Sequence, residues 1–290
     1  MNTPTHTPDF DTLDAGLRAK HTALLDLLRG LERAVVAFSG GVDSTLLLRV
    51  AVEALGERAV GLCAVSESFA PWELVEARAL AEGMGARLIE VRTNELRRDA
   101  YRANAGDRCY HCKTELFEIA AAHAQSEALG VLTYGAIPDD LGDHRPGMTA
   151  ASERGVRAPL IEANLSKLEI RALSRAYGLP TAEKPAAACM SSRFPDGTPI
   201  TAERLAQVTA CEGALRDLAL RHVRARFHGD LVRVELGPDE LARALTDATL
   251  REGIVRAGRG AGFRYVTLDL QGYRAAGAQT LVQLDVPRRG

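Results

Sequence analysis

The seven residues Ser39-Gly40-Gly41-Val42-Asp43-Ser44-Thr45 have the types and order needed to hold a phosphate. They follow a short apolar run and open a helical pattern, so successive backbone N–H groups and a helix N-terminus converge on one concave anion site. Gly40 and Gly41 let the backbone approach phosphate oxygens with no Cβ in the way. No Lys precedes Ser44, unlike the Walker loop, so the string does not read as a site for γ-phosphate hydrolysis. A plain strand-to-helix turn with Asp43 or Ser44 as N-cap is the simpler alternative. The complete string after an apolar strand weighs against it.

Cysteine supplies the second chemistry. Cys109 and Cys112 form a C-x-x-C within Asp107-Arg108-Cys109-Tyr110-His111-Cys112-Lys113, expected just before a helix whose N-terminus would lower the thiol pKa. By itself this spacing suits a metal centre, a redox pair, half a zinc site or chance. Cys189 stands in a segment unsuited to helix, Lys184-Pro185-Ala186-Ala187-Ala188-Cys189-Met190-Ser191-Ser192-Arg193, and Lys184 and Arg193 nearby suggest an exposed, electropositive thiol. Cys63 in an apolar strand and Cys211 in a helix read as buried structural thiols. Arg224 and Arg226 alternate on a strand and so share one face, where they could grip a phosphate. A solvated basic strand face would explain them equally.

These residues need elements to position them. The apolar run at 34–38 reads as a buried strand ending in the tight turn at Ser39, and 59–65 as a second, with a helix over 46–55 between them. The βαβ unit implies a parallel sheet with right-handed crossovers. An amphipathic helix over 10–31 opens the chain, and further helix and strand patterns at 72–84, 87–91, after Cys112, 131–134 and 166–177 extend a doubly wound α/β fold. The Pro-, Ala- and Ser-rich stretch 180–199 changes the composition, so the chain divides into a nucleotide domain, 1–183, and a smaller α+β domain, 184–290, for substrate binding or oligomerisation. In the latter, 222–228 and 231–236 read as strands, 239–254 as one helix and 263–270 as a strand.

Composition sets outer bounds. With 290 residues, 46% hydrophobic, the chain can bury a full core. A net charge of -2 gives no global field for a polyanion, so nucleic acid is not the expected partner. Neither a signal peptide nor an apolar run of membrane-spanning length is evident, which points to the cytoplasm and away from a membrane. Five cysteines, an odd number without an export signal, argue against a disulfide framework.

The loop closely resembles the SGGxDS signature of PP-loop ATP pyrophosphatases, which cleave ATP between its α- and β-phosphates. That resemblance implies that Ser39 to Thr45 hold pyrophosphate, with Asp43 near Mg2+ and Ser39 and Ser44 donating to phosphate oxygens, while Ser66 and Gly135 flank adenine and ribose. More widely the chain resembles the LarE family of ATP-dependent sulfur-inserting enzymes that make the nickel-pincer nucleotide cofactor. The likeness rests on Ser39 to Thr45, Asp107 to Lys113, Gly135 to Asp140, Asp143 to Gly147, the Cys189 segment through Pro195-Asp196-Gly197, Val223 to Arg226, and Asp269 to Arg274. It implies adenylation of a carboxylate of pyridinium-3,5-biscarboxylic acid mononucleotide and its conversion to a thiocarboxylate. The family has two sulfur sources, a sacrificial cysteine or a 4Fe-4S cluster on three cysteines. Having Cys109, Cys112 and Cys189, this chain resembles the cluster-bearing branch, with sulfide or another donor reloading the site. Arg224 and Arg226 are then expected at the substrate phosphate, and Glu212 and Asp140 at the substrate or metal. Other copies of the chain are expected partners, as a homo-oligomer. A tRNA-thiolating enzyme, an amide-forming ligase and a non-catalytic scaffold for nickel-cofactor assembly are the alternatives. The first lacks a basic RNA-binding region, and the second leaves the cysteines unexplained.

Overall fold

The computed structural model describes residues 8–141, 146–185 and 188–273. Asp143, His144, Arg145 and Arg274, named above, lie outside the described residues. The rest fall in two compact units: those up to Lys184 together with Cys189–Ala206, and the remainder.

In the first unit four parallel strands, β1 (Ala34–Ala37), β2 (Ala59–Val65), β3 (Arg87–Arg92) and β4 (Val131–Tyr134), lie in the order β3-β2-β1-β4. Alternation along β1 decides its packing: Ala34 and Val36 join the core on one face of the sheet and Val35 the core on the other. The first face is covered by α1 (Ala15–Arg29), α2 (Val42–Leu55) and α8 (Lys167–Ala176), which contribute Leu24, Leu28, Leu46, Leu47, Ile170 and Leu173, all fully buried. Each such side chain stabilises the fold by about 1.5–3 kcal/mol. The second face is covered by α5 (Arg108–Ser126) and α6 (Pro146–Glu153) through Phe117, Ala120 and Ala150. Between these lie α3 (Pro71–Gly83), α4 (Asp99–Ala103) and α7 (Pro159–Glu162). This is the expected doubly wound α/β architecture.

In the second unit β5 (Val223–His228) runs antiparallel to β6 (Leu231–Leu236), which pairs in parallel with β7 (Tyr265–Leu268). The chain also forms α9 (Ala202–Asp217), α10 (Pro238–Thr246) and α11 (Ala248–Gly260).

Several boundaries differ from expectation, each for a local reason. The opening helix starts at Ala15 because the Asp14 carboxylate accepts from Leu17 N (2.9 Å) and caps it. The single helix expected over 239–254 is two. Asp247 adopts an extended conformation and accepts from Thr249 N (2.8 Å) and Leu250 N (3.1 Å), ending α10 and starting α11. The C-x-x-C does not precede its helix but occupies the first turns of α5. Among the described residues no helix is long and apolar enough to cross a membrane.

Candidate active site

In a parallel sheet the carboxyl ends of the strands share one edge, and here β1 delivers Ser39, β2 Ser66, β3 Thr93 and β4 Gly135 to it. The chain moves from β1 to β2 and β3 on one side and then to β4 on the other. The phosphate loop and Gly135 therefore flank the point where the strand order reverses, the usual location of a ligand crevice. Gly40 has φ of +70°, the left-handed region that glycine enters freely, and its Cα faces Ala77 of α3. Gly41 sits at the N-cap of α2, and Ser44 Oγ donates to Gly41 O (3.2 Å) and lies 3.3 Å from Ser39 Oγ. Thr45 is fully buried. A Cβ on Gly135 would stand 3.0 Å from Ser44 N, so only glycine lets β4 close against the start of α2.

Asp43 lies in the first turn of α2, and Lys167 Nζ reaches both its carboxylate oxygens, at 2.6 and 2.7 Å. Burial pushes the Asp43 carboxyl up, an effect the Lys167 ammonium offsets only in part, and the Asp140 charge adds to the rise. Asp140, at the end of a short 3-10 turn after β4, accepts from Ile137 N (3.1 Å). A second ammonium, Lys184 Nζ, donates to Gly40 O (3.1 Å) and to Glu76 (2.8 Å). Neither lysine had been singled out as a binding residue from sequence, because each lies far along the chain from the loop.

Ser66 belongs to a compact hydroxyl and carboxylate network. Glu95, 3% exposed, accepts from Ser66 Oγ (2.6 Å), Ser68 Oγ (2.6 Å) and Thr93 Oγ1 (3.2 Å). The cysteine segment is fastened to the same place: Met190 N donates to Ser68 O (2.9 Å), and Ser191 Oγ meets Tyr101 OH at 2.6 Å. Arg108 Nη1 donates to Ser191 O (2.9 Å), which joins the start of α5, and hence Cys109, to the turn that carries Cys189. Sequence reading passed over Glu95, Tyr101 and Arg108. Arg108 directly precedes the C-x-x-C, and that adjacency was the available signal.

The three thiols lie within reach of one another's charge. Cys109 and Cys189 are exposed and Cys112 is partly so. At Cys112 and Cys189 the pKa is raised, not lowered. Burial pushes Cys112 up to about 12, with the Glu95 charge adding to the rise, and surrounding protein also raises Cys189 more than Arg108 and Arg193 lower it. Cys189 is thus an accessible thiol that holds its proton more firmly than a free cysteine. Among the described residues, no three His, Cys, Asp or Glu side chains gather closely enough for a single metal ion. Cys63 and Cys211 are buried as expected, with thiols pushed up to about 12 by desolvation.

Arg224, Arg226 and Glu212 fall in the second unit. The two arginines share a face of β5, but that face is not solvated. Arg224 is 3% and Arg226 13% exposed, and both pair with Glu235 of β6, at 3.8 and 2.9 Å. Arg233 makes a third contact with Glu235 at 3.3 Å, and Arg224 lies over the Tyr273 ring and donates to its hydroxyl (3.1 Å). The Arg233 Nε–H is buried without an acceptor among the described residues. Glu212 is wholly buried and accepts from Ala225 N (2.9 Å).

Residues 27–134 match the NAD synthase family. The chain is 39% identical, over 90% of its own length and 94% of the relative's, to the pyridinium-3,5-bisthiocarboxylic acid mononucleotide synthase of Lactiplantibacillus plantarum. An uncharacterised protein of Synechocystis is 44% identical over 89% of this chain and 96% of its own. An uncharacterised protein of Methanocaldococcus jannaschii is 26% identical over 84% and 92%.

Proposed function

Because this chain belongs to the LarE family of PP-loop, ATP-dependent sulfurtransferases, we propose that it converts carboxylates of pyridinium-3,5-biscarboxylic acid mononucleotide to thiocarboxylates through an acyl-adenylate, with sulfur delivered from a 4Fe-4S cluster on Cys109, Cys112 and Cys189. The reading is supported by the phosphate loop at the carboxyl edge of the sheet and by the hydrogen bonds that join the Cys189 turn to Ser68 after β2 and to Arg108 at the start of α5.

A carboxylate resists attack by sulfur, so it must first acquire a leaving group. Its oxygen attacks the α-phosphorus of ATP, the bond to the β-phosphate breaks, and pyrophosphate departs into the amide cradle of Ser39, Gly40, Gly41, Ser44 and Thr45. Sulfur then attacks the acyl carbon, the bond to AMP breaks, and a thiocarboxylate remains. No electrons change hands. Ser66 and Gly135, which directly follow β2 and β4, are the residues we assign to the nucleoside. Asp43 and Asp140 are hard oxygen donors close enough to feel each other's charge, a set that suits Mg2+. Three thiols on two fastened segments suit a cluster, which when bound supplies a coordination position for an added sulfide. The second unit takes the substrate: Arg224, Arg226 and Arg233 offer guanidinium donors to its phosphate, with Glu212 supporting β5 from beneath.

Anaerobically reconstituted protein, given ATP, the pyridinium substrate and sulfide, is expected to release pyrophosphate only when that substrate is present. It should form more than one thiocarboxylate per chain and absorb broadly near about 400 nm, as thiolate-bound clusters do. Asp43→Ala is expected to abolish the product, and a Cys189→Ser, Cys109→Ser or Cys112→Ser protein to lose colour and repeated turnover. A colourless protein carrying one dehydroalanine at Cys189 per product would make Cys189 a sacrificial donor. Absence of pyrophosphate release would return the chain to the scaffold reading.

A further inference from the structure

We propose that Glu95 is a positioning residue that sets the Cys189 thiol against the nucleotide edge of the sheet, so that sulfur and not water reaches the activated acyl carbon. The proposal rests on the reading of that edge as the adenylating site. Glu95 opens the short 3-10 turn Glu95–Arg97 after β3 and is 3% exposed. Its Oε1 accepts from Ser66 Oγ and Ser68 Oγ, both at 2.6 Å, and its Oε2 from Thr93 Oγ1 at 3.2 Å. The two shorter separations are those of a hydroxyl donating to an ionised carboxylate, a stronger bond than one between neutral groups. Among the described residues its donors are these three hydroxyls, with no ammonium or guanidinium. A buried carboxylate without a cation is costly for a residue that merely fills space, since an apolar side chain would pack as well.

The three donors come from the ends of two neighbouring strands, Ser66 and Ser68 after β2 and Thr93 after β3. Ser68 N donates to Ser66 Oγ (3.2 Å), which closes the turn, and Ser68 O accepts from Met190 N (2.9 Å). Met190 and Ser191 are buried, whereas Cys189 beside them is exposed, so the thiol stands on a buried footing. Tyr101 of α4 and Arg108 at the start of α5 hold the same turn through Ser191. Of these attachments, the one through Ser68 ends on the segment that carries Ser66, and Glu95 fixes that segment. Without Glu95 the thiol stays tethered to α4 and α5 but is free to shift relative to an adenylate. Water then attacks the acyl carbon, the bond to AMP breaks and the carboxylate returns, so ATP is consumed with no thiocarboxylate formed.

The test is the ratio of pyrophosphate released to thiocarboxylate formed, measured on anaerobically reconstituted protein with Mg·ATP, the pyridinium substrate and sulfide. Relative to the unsubstituted protein, Glu95→Ala is expected to raise that ratio about tenfold or more, the effect of a reacting group held out of place. Glu95→Gln, whose amide oxygen can still accept from both serines, should restore much of the coupling, and Ser68→Ala, which removes one hydroxyl, should show part of the rise. The visible absorption of the reconstituted protein should be the same in all three variants, because Tyr101 and Arg108 still hold the turn. A merely structural Glu95 would lower adenylation and sulfur transfer together. An unchanged ratio in Glu95→Ala, or in Ser68→Ala should Glu95→Ala fail to fold, would therefore overturn the proposal. Loss of the visible absorption in Glu95→Ala would also overturn it, since the effect would then lie in loading the thiols. If the unsubstituted protein releases no pyrophosphate with that substrate, the adenylating site itself is refuted, and the proposal with it.

Discussion

Arg224, Arg226 and Arg233 crowd round one buried carboxylate, Glu235, and that arrangement separates two roles that arginine can play at a substrate site. Arg226 is the more exposed of the two residues singled out from sequence, and losing a guanidinium contact to phosphate costs about 1.5–3 kcal/mol. Arg226→Ala is accordingly expected to raise the KM of the pyridinium substrate by about tenfold or more while leaving Mg·ATP affinity unchanged. Glu235→Ala should behave differently. It leaves three guanidinium groups without their shared counter-charge, and breaking a buried pair from one side costs about 3–5 kcal/mol, to be read as a lower denaturant midpoint. The arginine pair was legible from its spacing of two. Glu235 was not, because it lies on the next strand and only the register Arg224↔Glu235 brings it opposite.

At the scale of elements, the site depends on how closely β4 closes against α2. The distance of 3.0 Å from a Cβ at Gly135 to Ser44 N leaves no room for an added methyl without moving the loop amides. Gly135→Ala is therefore expected to raise the KM for ATP strongly, with only a modest fall in thermal midpoint. An unaltered KM would show that the loop tolerates displacement. Strands were read well from sequence, since alternation or an apolar run of fitting length marks them locally. Helix ends were read less well: Asp14 and Asp247 each stop or start a helix through a side-chain cap that an amphipathic pattern runs straight across. The C-x-x-C was also misplaced at a helix start, although there Asp107 at the N-cap makes no side-chain cap. Its position inside α5 lets Arg108, one residue earlier, hold the Cys189 turn.

For the molecule as a whole, the carboxyl edge of the sheet carries the proposed site, and elsewhere α1 is tied to the end of α8. His21 of α1 is buried against Tyr177, with its ring nitrogen 2.5 Å from the phenol oxygen, and Tyr177 OH donates to Glu53 (2.8 Å). Burial holds the imidazole below the usual histidine value of 6.5. The unfolded chain then binds a proton before the folded one does, so stability is full above that value and declines as pH falls through it. Urea midpoints measured from pH 7.5 to about 5.5 are expected to drop, and His21→Gln should flatten that part of the curve. What the sequence by itself determined is local: the strand, Gly-Gly and Asp-Ser order that builds an anion cradle, the alternation that makes a parallel sheet, and the thiol pair at a spacing of three. Those signals lie in contiguous residues, where period and backbone preference act directly. Tertiary structure alone decided which distant groups meet them. Lys167 reaches Asp43 across 124 positions, Tyr101 and Arg108 fasten the Cys189 turn, and Glu95 gathers three hydroxyls beside it, because these pairings follow from which chain ends the sheet brings to its carboxyl edge.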